Sequence, residues 1–184
     1  MRKSIQILGS VAAVTLLAAC ASQPMMAAKP YDQSALAPAV QVPAGHAVAL
    51  ETVGAGTITY ECRVKTNTTD QFEWVFVGPD AKLMDRAGKQ VGTYYGPPAT
   101  WQATDGSKIT GTQVAVSPAA TGAIPLQLVK ANPAMGEGAM KGLAYIHRVA
   151  TVGGVAPAKP CNAGTVRSKE VVNYQADYIF YRAV

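Results

Sequence analysis

A strict alternation of apolar and polar side chains is the feature that most constrains the fold of this chain. Between residues 57 and 64, Ile58, Tyr60, Cys62 and Val64 take every second position, and polar side chains take the positions between them. A period of two places the two sets on opposite faces of an extended strand. The segment therefore predicts a β-strand with one buried face.

The same period recurs elsewhere in the chain. Three further segments show it clearly, at 71–77, 141–152 and 174–183, and other strand candidates lie at 46–51, 90–95, 108–116 and 124–130. Within the first of these segments, Trp74 and Phe76 are expected in the core. A helical turn is conceivable only over residues 131–143, where Gly136 and Gly138 disfavour it.

Clusters of Gly, Pro, Asn and Asp separate these segments at short intervals, as turns require. They lie at 54–56, 78–80, 96–98, 105–106, 117–118, 132–133, 153–154 and 157–160. Short strands between frequent turns are typical of all-β folds. We predict a single antiparallel β-sandwich or barrel-like domain, preceded by a signal peptide and a flexible tether.

The amino terminus has the composition of an export signal. Arg2 and Lys3 precede an apolar stretch that is short for a membrane span and fits a secretory signal. Residues 17–20 (Leu-Ala-Ala-Cys) match the lipobox of bacterial lipoproteins, in which small residues precede the cysteine that receives lipid. The alternative is an ordinary signal peptide with an incidental cysteine.

We therefore predict three parts: a signal peptide over 1–19, a lipidated Cys20 with its tether over 20–43, and an all-β domain over 44–184. Ala21 is not the Asp that usually retains lipoproteins at the inner membrane, so an outer-membrane lipid anchor is expected. The formal net charge is +5, and removal of Arg2 and Lys3 with the signal lowers it to +3. This mild charge without a basic run predicts no nucleic-acid partner.

Two cysteines remain after Cys20. In an exported chain, the pair Cys62 and Cys161 predicts a disulfide, which would tie an early strand to the loop before the last strand. Two free thiols or a metal pair are the alternatives. No CxxC motif or neighbouring His favours a metal.

Aromatic residues beside a Gly-Pro-Pro bend form the candidate binding site: Tyr94, Tyr95 and Trp101. Tyr and Trp combine apolar area with a polar tip, so this group could stack on a glycan or on an envelope protein. The alternative is that the rings close one end of the β core. Exposure of all three would favour binding, and burial would favour the structural role.

No catalytic residue is predicted. The sequence contains no Gly-x-Ser-x-Gly motif, phosphate loop or dinucleotide motif. His46 and His147 are expected to be a capping residue and a strand-face residue, and neither a cofactor nor a metal site is predicted. A non-enzymatic binding or structural module is the preferred function. The alternative is an extracytoplasmic hydrolase of a glycan or ester, which requires a His beside an Asp or Ser, or two carboxylates in a cleft.

The order of short motifs across about residues 40–182 resembles domain-of-unknown-function family 3455. The motifs that carry the resemblance are 60–62, Trp74, 81–88, 95–101, 105–107, 123–125, 145–149, 153–157, Cys161 and 174–178. The resemblance implies a shared fold and the two cysteines, and it implies no activity. Members often have His-Tyr where this chain has Tyr94-Tyr95, and Gln is expected where this chain has His147.

Overall fold

The computed structural model describes residues 31–184, and the prediction of an all-β fold is confirmed. After a short 3-10 helix at Pro38–Val40, the chain forms eight strands. They are β1 (His46–Val64), β2 (Phe72–Met84), β3 (Gln90–Tyr95), β4 (Thr100–Ala103), β5 (Lys108–Ser117), β6 (Leu126–Ala131), β7 (Leu143–Gly153) and β8 (Lys169–Ala183). No helix among these residues has the length and apolar character needed to cross a membrane.

The strands form a closed antiparallel barrel in chain order, so of the two predicted architectures the barrel is the one adopted. Each strand pairs with its neighbour in sequence, and β1 also pairs with β8. The length of β1, 19 residues, lets it pair with both neighbours over much of its course. Connections between odd-numbered strands and the following even-numbered strands consequently lie at one end of the barrel.

Two of the predicted breaks lie inside strands. The glycines at 54–56 fall within β1. A Cβ at Gly54 would lie 2.5 Å from Cε2 of Tyr178, so the absence of a side chain at Gly54 leaves room for the Tyr178 ring. Pro79 falls within β2, beyond the stretch Asp80–Met84 that pairs with β3. Its missing N–H therefore interrupts no bond to β3.

The barrel interior holds the main core. The predicted face of β8, from Tyr174 to Phe180, points inward, and Trp101, Ile109 and Ile146 meet it from other strands. Almost all of these side chains are inaccessible to solvent. Trp74 packs partly buried against this core, whereas Phe76 is half exposed, so its expected place in the core is wrong. The reason is that Phe76 lies near the open end of the barrel, where fewer strands cover it.

A second, smaller core lies outside the barrel wall. Val40 and Val42 are buried against outward-facing residues of β6, β7 and β8. The covered residues are Leu128, Val149, Ile179 and Tyr181. The predicted tether, 20–43, is thus described only from residue 31 onward, and this part is packed on the barrel. Residues 31–42 are called the N-terminal segment below.

The predicted disulfide is confirmed. Cys62 and Cys161 are bonded, with their Cα atoms 5.5 Å apart, and the bond joins the end of β1 to the loop between β7 and β8. Main-chain hydrogen bonds fix the same loop, because Cys62 donates its N–H to the oxygen of Ser168 and accepts from Arg167. The Nε1 of Trp74 donates to the carbonyl of Lys159 at 2.8 Å.

Candidate functional site

A cavity of about 320 Å³ opens at the barrel end that carries the β1–β2, β3–β4, β5–β6 and β7–β8 connections. Strands β2 to β7 supply the wall together with the β3–β4 turn. The lining residues are Phe76, Tyr94, Ala99, Trp101, Gly111, Gln113, Gln127, Val129 and Arg148. We call this space the mouth cavity.

Tyr94 and Trp101 form one aromatic wall of the mouth cavity. They are direct partners across β3 and β4, and alternation turns both rings inward. The rings are stacked, with centroids 4.8 Å apart and planes inclined by 21°. Tyr178 and Phe180 pack edge-on against Trp101 from β8. This packing fixes the orientation of the rings that line the cavity.

Polar side chains form the opposite wall. Gln127 and Arg148 are partners across β6 and β7, and Gln113 lies on β5 beside them. The Gln127 amide donates to Oε1 of Gln113 at 2.6 Å. Arg148 donates twice to the carbonyl of Pro125, from Nε at 3.2 Å and from Nη2 at 2.9 Å. The guanidinium plane is therefore held in place by the β5–β6 connection.

The mouth cavity carries a positive charge without an acidic partner. No Asp or Glu lines it, and Arg148 makes no ion pair with any described residue. Burial raises the pKa of Tyr94 and of Tyr178, and the Arg148 charge opposes that rise at both hydroxyls. Its electric field thus extends into the aromatic core.

One buried donor at the mouth cavity is unsatisfied. Trp101 is 2% exposed, and its Nε1 donates to no residue within 31–184. Most buried polar groups in native proteins have a partner, so this group needs an explanation. The indole ring lines the cavity. The Nε1 itself has less than 1 Å² of accessible surface, so the open cavity does not reach this atom.

The three predicted binding residues do not lie together. Tyr94 and Trp101 are almost fully buried and face the interior, whereas Tyr95 lies on the outer face of β3. The Tyr95 hydroxyl donates to Oε1 of Gln102 at 3.0 Å. Successive residues of a strand point to opposite faces, which separates Tyr95 from its neighbour. The geometry gives no exposed platform made of all three rings.

Sequence reasoning missed Arg148, Gln113 and Gln127. A usable signal was present in β7, where Arg148 shares its phase with the apolar Ile146. A charged residue in phase with buried ones indicates an inward-facing cation. Its cavity neighbours come from other strands, and only the order of strands around the barrel brings them together.

The two histidines lie away from the mouth cavity. His147 is fully buried between the Val40 carbonyl and the Tyr181 hydroxyl, and burial lowers its pKa while the bond to Val40 opposes this. His46 bonds the carbonyl of Pro43 and packs on Tyr145. Among the residues the structure describes, neither His bonds an Asp or Ser, and no group of three or more His, Cys, Asp or Glu side chains could hold a metal.

The model of a family described as "Protein of unknown function (DUF3455)" matches residues 43–182. The chain belongs to this family. The matched range runs from just before β1 almost to the end of β8, so the DUF3455 domain is the barrel. No curated protein and no solved structure matches the chain.

The DUF3455 match contains every residue that lines the mouth cavity and both bonded cysteines. Val40 and Val42 of the N-terminal segment lie outside it. The segment that covers this patch on β6 to β8 is therefore outside the family match, whereas the covered residues lie within it.

Proposed function

We propose that this DUF3455 protein is a lipid-anchored protein of the bacterial cell envelope whose barrel binds a small organic molecule in the mouth cavity. The observation that carries the binding proposal is a cavity of about 320 Å³ whose wall holds Arg148 and no acidic residue.

The size and chemistry of the cavity support the same proposal. Eight-stranded barrels have an interior that side chains just fill or that holds one small ligand. The mouth cavity, at about 320 Å³, lies at the lower end of the usual range of about 300–1,000 Å³ for ligand sites. Apolar walls with a few fixed polar groups are also typical of such sites.

A small molecule suits the geometry better than a glycan chain. Sugar recognition by stacking needs a ring face that the sugar can cover. Tyr94 and Trp101 are 6% and 2% exposed and face each other, so they present their edges to a confined space.

The envelope location rests on the sequence of residues 1–30, which lies outside the described residues. Arg2, Lys3 and the Leu-Ala-Ala-Cys run ending at Cys20 support export and lipidation. The Cys62–Cys161 disulfide is compatible with an oxidising compartment. Ala21 supports the outer membrane as the final location.

Ligand binding is tested with three water-soluble probes of similar size: phenylacetate, phenylacetamide and phenethylammonium. Saturation-transfer NMR on the full chain in detergent should detect at least one of them. Ala99→Leu places a larger side chain in the cavity wall and should weaken that probe at least tenfold. Ala120→Leu, at an exposed position of the β5–β6 connection, is the matched control and should leave binding unchanged. Absence of binding by all three probes would favour a purely structural module.

Lipidation is tested by intact mass and by globomycin, which blocks the signal peptidase of lipoproteins. We expect a product cleaved before Cys20 and carrying acyl chains, and a precursor that accumulates with globomycin. Cys20→Ser should release the protein from the membrane fraction. An unmodified product in the wild type would refute the anchor and leave the cavity proposal untouched.

A further inference from the structure

We infer that the mouth cavity selects small organic acids, with the ligand carboxylate on Arg148 and its apolar body against the aromatic wall. This inference rests on the binding role proposed above and names the class of ligand. It follows from three independent features: the unpaired cation, its fixed geometry and the distribution of polar groups around the cavity.

Arg148 is a cation with an N–H group that has no acceptor among the described residues. Its Nε and Nη2 donate to the Pro125 carbonyl, which carries no net charge, and Nη1 donates to no residue of the described chain. Five ion pairs exist among the described residues, and none includes Arg148. Since a half-buried guanidinium without a counter-ion is costly, an anion bound in the cavity would relieve that cost.

The guanidinium is also preorganised. The two hydrogen bonds to the Pro125 carbonyl hold the Arg148 guanidinium in one orientation, so ligand binding loses little side-chain entropy. Charge-assisted hydrogen bonds between Arg and carboxylate are about twice as strong as neutral ones. A carboxylate therefore gains more here than an amide of the same shape.

The rest of the cavity wall is mainly apolar and determines the chemistry of the ligand body. Phe76, Ala99 and Val129 present apolar surface, and the edges of Tyr94 and Trp101 complete it. The side chains of Gln113 and Gln127 are already hydrogen-bonded to each other. The wall contains no acidic residue that would attract a cation or repel an anion. A compact acid with an apolar body matches this division.

The tryptophan indoles provide an internal control for the test. The chain has two tryptophans, and the N–H of Trp74 is engaged with Lys159 outside the cavity wall. The indole resonances of the ¹⁵N-labelled full chain in dodecyl maltoside are followed at pH 7.5 and low salt. Phenylacetate, phenylacetamide and phenethylammonium are titrated in turn. We expect the Trp101 resonance to move with phenylacetate and the Trp74 resonance to stay in place.

Affinity for phenylacetate should exceed affinity for phenylacetamide at least tenfold, and phenethylammonium should bind most weakly. Arg148→Gln should reduce the preference for the acid over the amide to twofold or less, and Arg148→Lys should keep part of it. Arg182→Gln is the control, because Arg182 also donates to a backbone carbonyl, that of Ala139, but does not line the cavity.

The outcomes separate the two proposals. Equal binding of the three probes, or strongest binding of the ammonium, would refute the preference for acids while the binding role stands. Failure of every probe to move the Trp101 resonance would overturn both. An undiminished preference in Arg148→Gln would refute the assignment of Arg148 as the residue that selects the acid.

Discussion

The Nε2 of His147 lies 2.6 Å from the carbonyl oxygen of Val40, a residue 107 positions earlier in the chain. Because a carbonyl only accepts, Nε2 carries the proton, and the Tyr181 hydroxyl, 3.1 Å from Nδ1, donates to the second nitrogen. Burial lowers the pKa of His147, which favours this neutral form, and both ring nitrogens have a partner. One buried side chain thereby joins β7 and β8 to the N-terminal segment.

The first prediction concerns acid pH. Burial lowers the pKa of His147 below its unfolded value of about 6.5. The unfolded state then binds the proton at a higher pH than the folded state. The stability that neutral, buried His147 contributes is therefore complete above about pH 6.5 and is lost as pH falls towards the folded pKa. Each pH unit in that window lowers the free energy of unfolding by about 1.4 kcal/mol.

His147→Gln isolates this effect, because the amide can still donate to Val40 but does not titrate. Urea unfolding at pH 7.5 and pH 5 should show a smaller loss of unfolding free energy in this variant than in the wild type. Equal losses in both proteins would show that His147 is not the group responsible.

The second prediction concerns the attachment of the N-terminal segment. Val40 is 1% exposed in the outer core, and Val40→Asp would bury a carboxylate among apolar side chains. We expect the segment to detach while the separate interior core keeps the barrel folded. Chymotrypsin should then cut at Leu36 at least ten times faster. Ala39→Asp, at the exposed neighbouring position, should leave cleavage slow, and equal cleavage of the two variants would contradict the packing described here.

The third prediction concerns the disulfide. Cys62 and Cys161 are 99 residues apart, and the chain-entropy model assigns about 4.7 kcal/mol to closing a loop of that size. The double variant Cys62→Ser, Cys161→Ser should lose about 3–5 kcal/mol of unfolding free energy in urea. Reduction of the wild type should lower it to a similar level. A loss below about 1 kcal/mol would mean that the barrel does not depend on this bond.

The fourth prediction compares two buried threonines. The Thr151 hydroxyl has no partner among the described residues, whereas the Thr100 hydroxyl donates to Pro98 at 2.8 Å. Replacing a buried unsatisfied hydroxyl by a methyl group removes a desolvation cost, and replacing a bonded one removes a hydrogen bond. Thr151→Val should stabilise the protein by about 1 kcal/mol and Thr100→Val should destabilise it by a similar amount. Shifts of the urea midpoint in the same direction would contradict this explanation.

Much of the fold was predictable because alternation is a local signal. The inward face of β8, from Tyr174 to Phe180, follows from spacing alone. The breaks expected at Gly54 and Pro79 were wrong because each residue has a tertiary reason to lie in a strand. Gly54 makes room for Tyr178, and Pro79 lies beyond the stretch of β2 that pairs with β3. Neither reason is visible before the partners of a strand are known.

The site was less predictable than the fold. Tyr94 and Trp101 were found from composition, but their inward direction and the outward direction of Tyr95 depend on the phase of β3. Arg148 reaches the cavity because β7 lies between β6 and β8 in the ring. The position of the N-terminal segment depends on Val40 and Val42, two apolar residues in a stretch without periodicity.

The pairing of β1 with β8 has a further consequence. A sheet that ends leaves a row of unpaired main-chain groups, and such a row can recruit a strand from another molecule and start aggregation. Within residues 31–184 every strand has a neighbour on both sides, so such edges are confined to short stretches such as the part of β2 before Asp80, which has no partner in β3. Copies of the barrel would therefore meet mainly through their side chains, and strand addition would be limited to those short stretches.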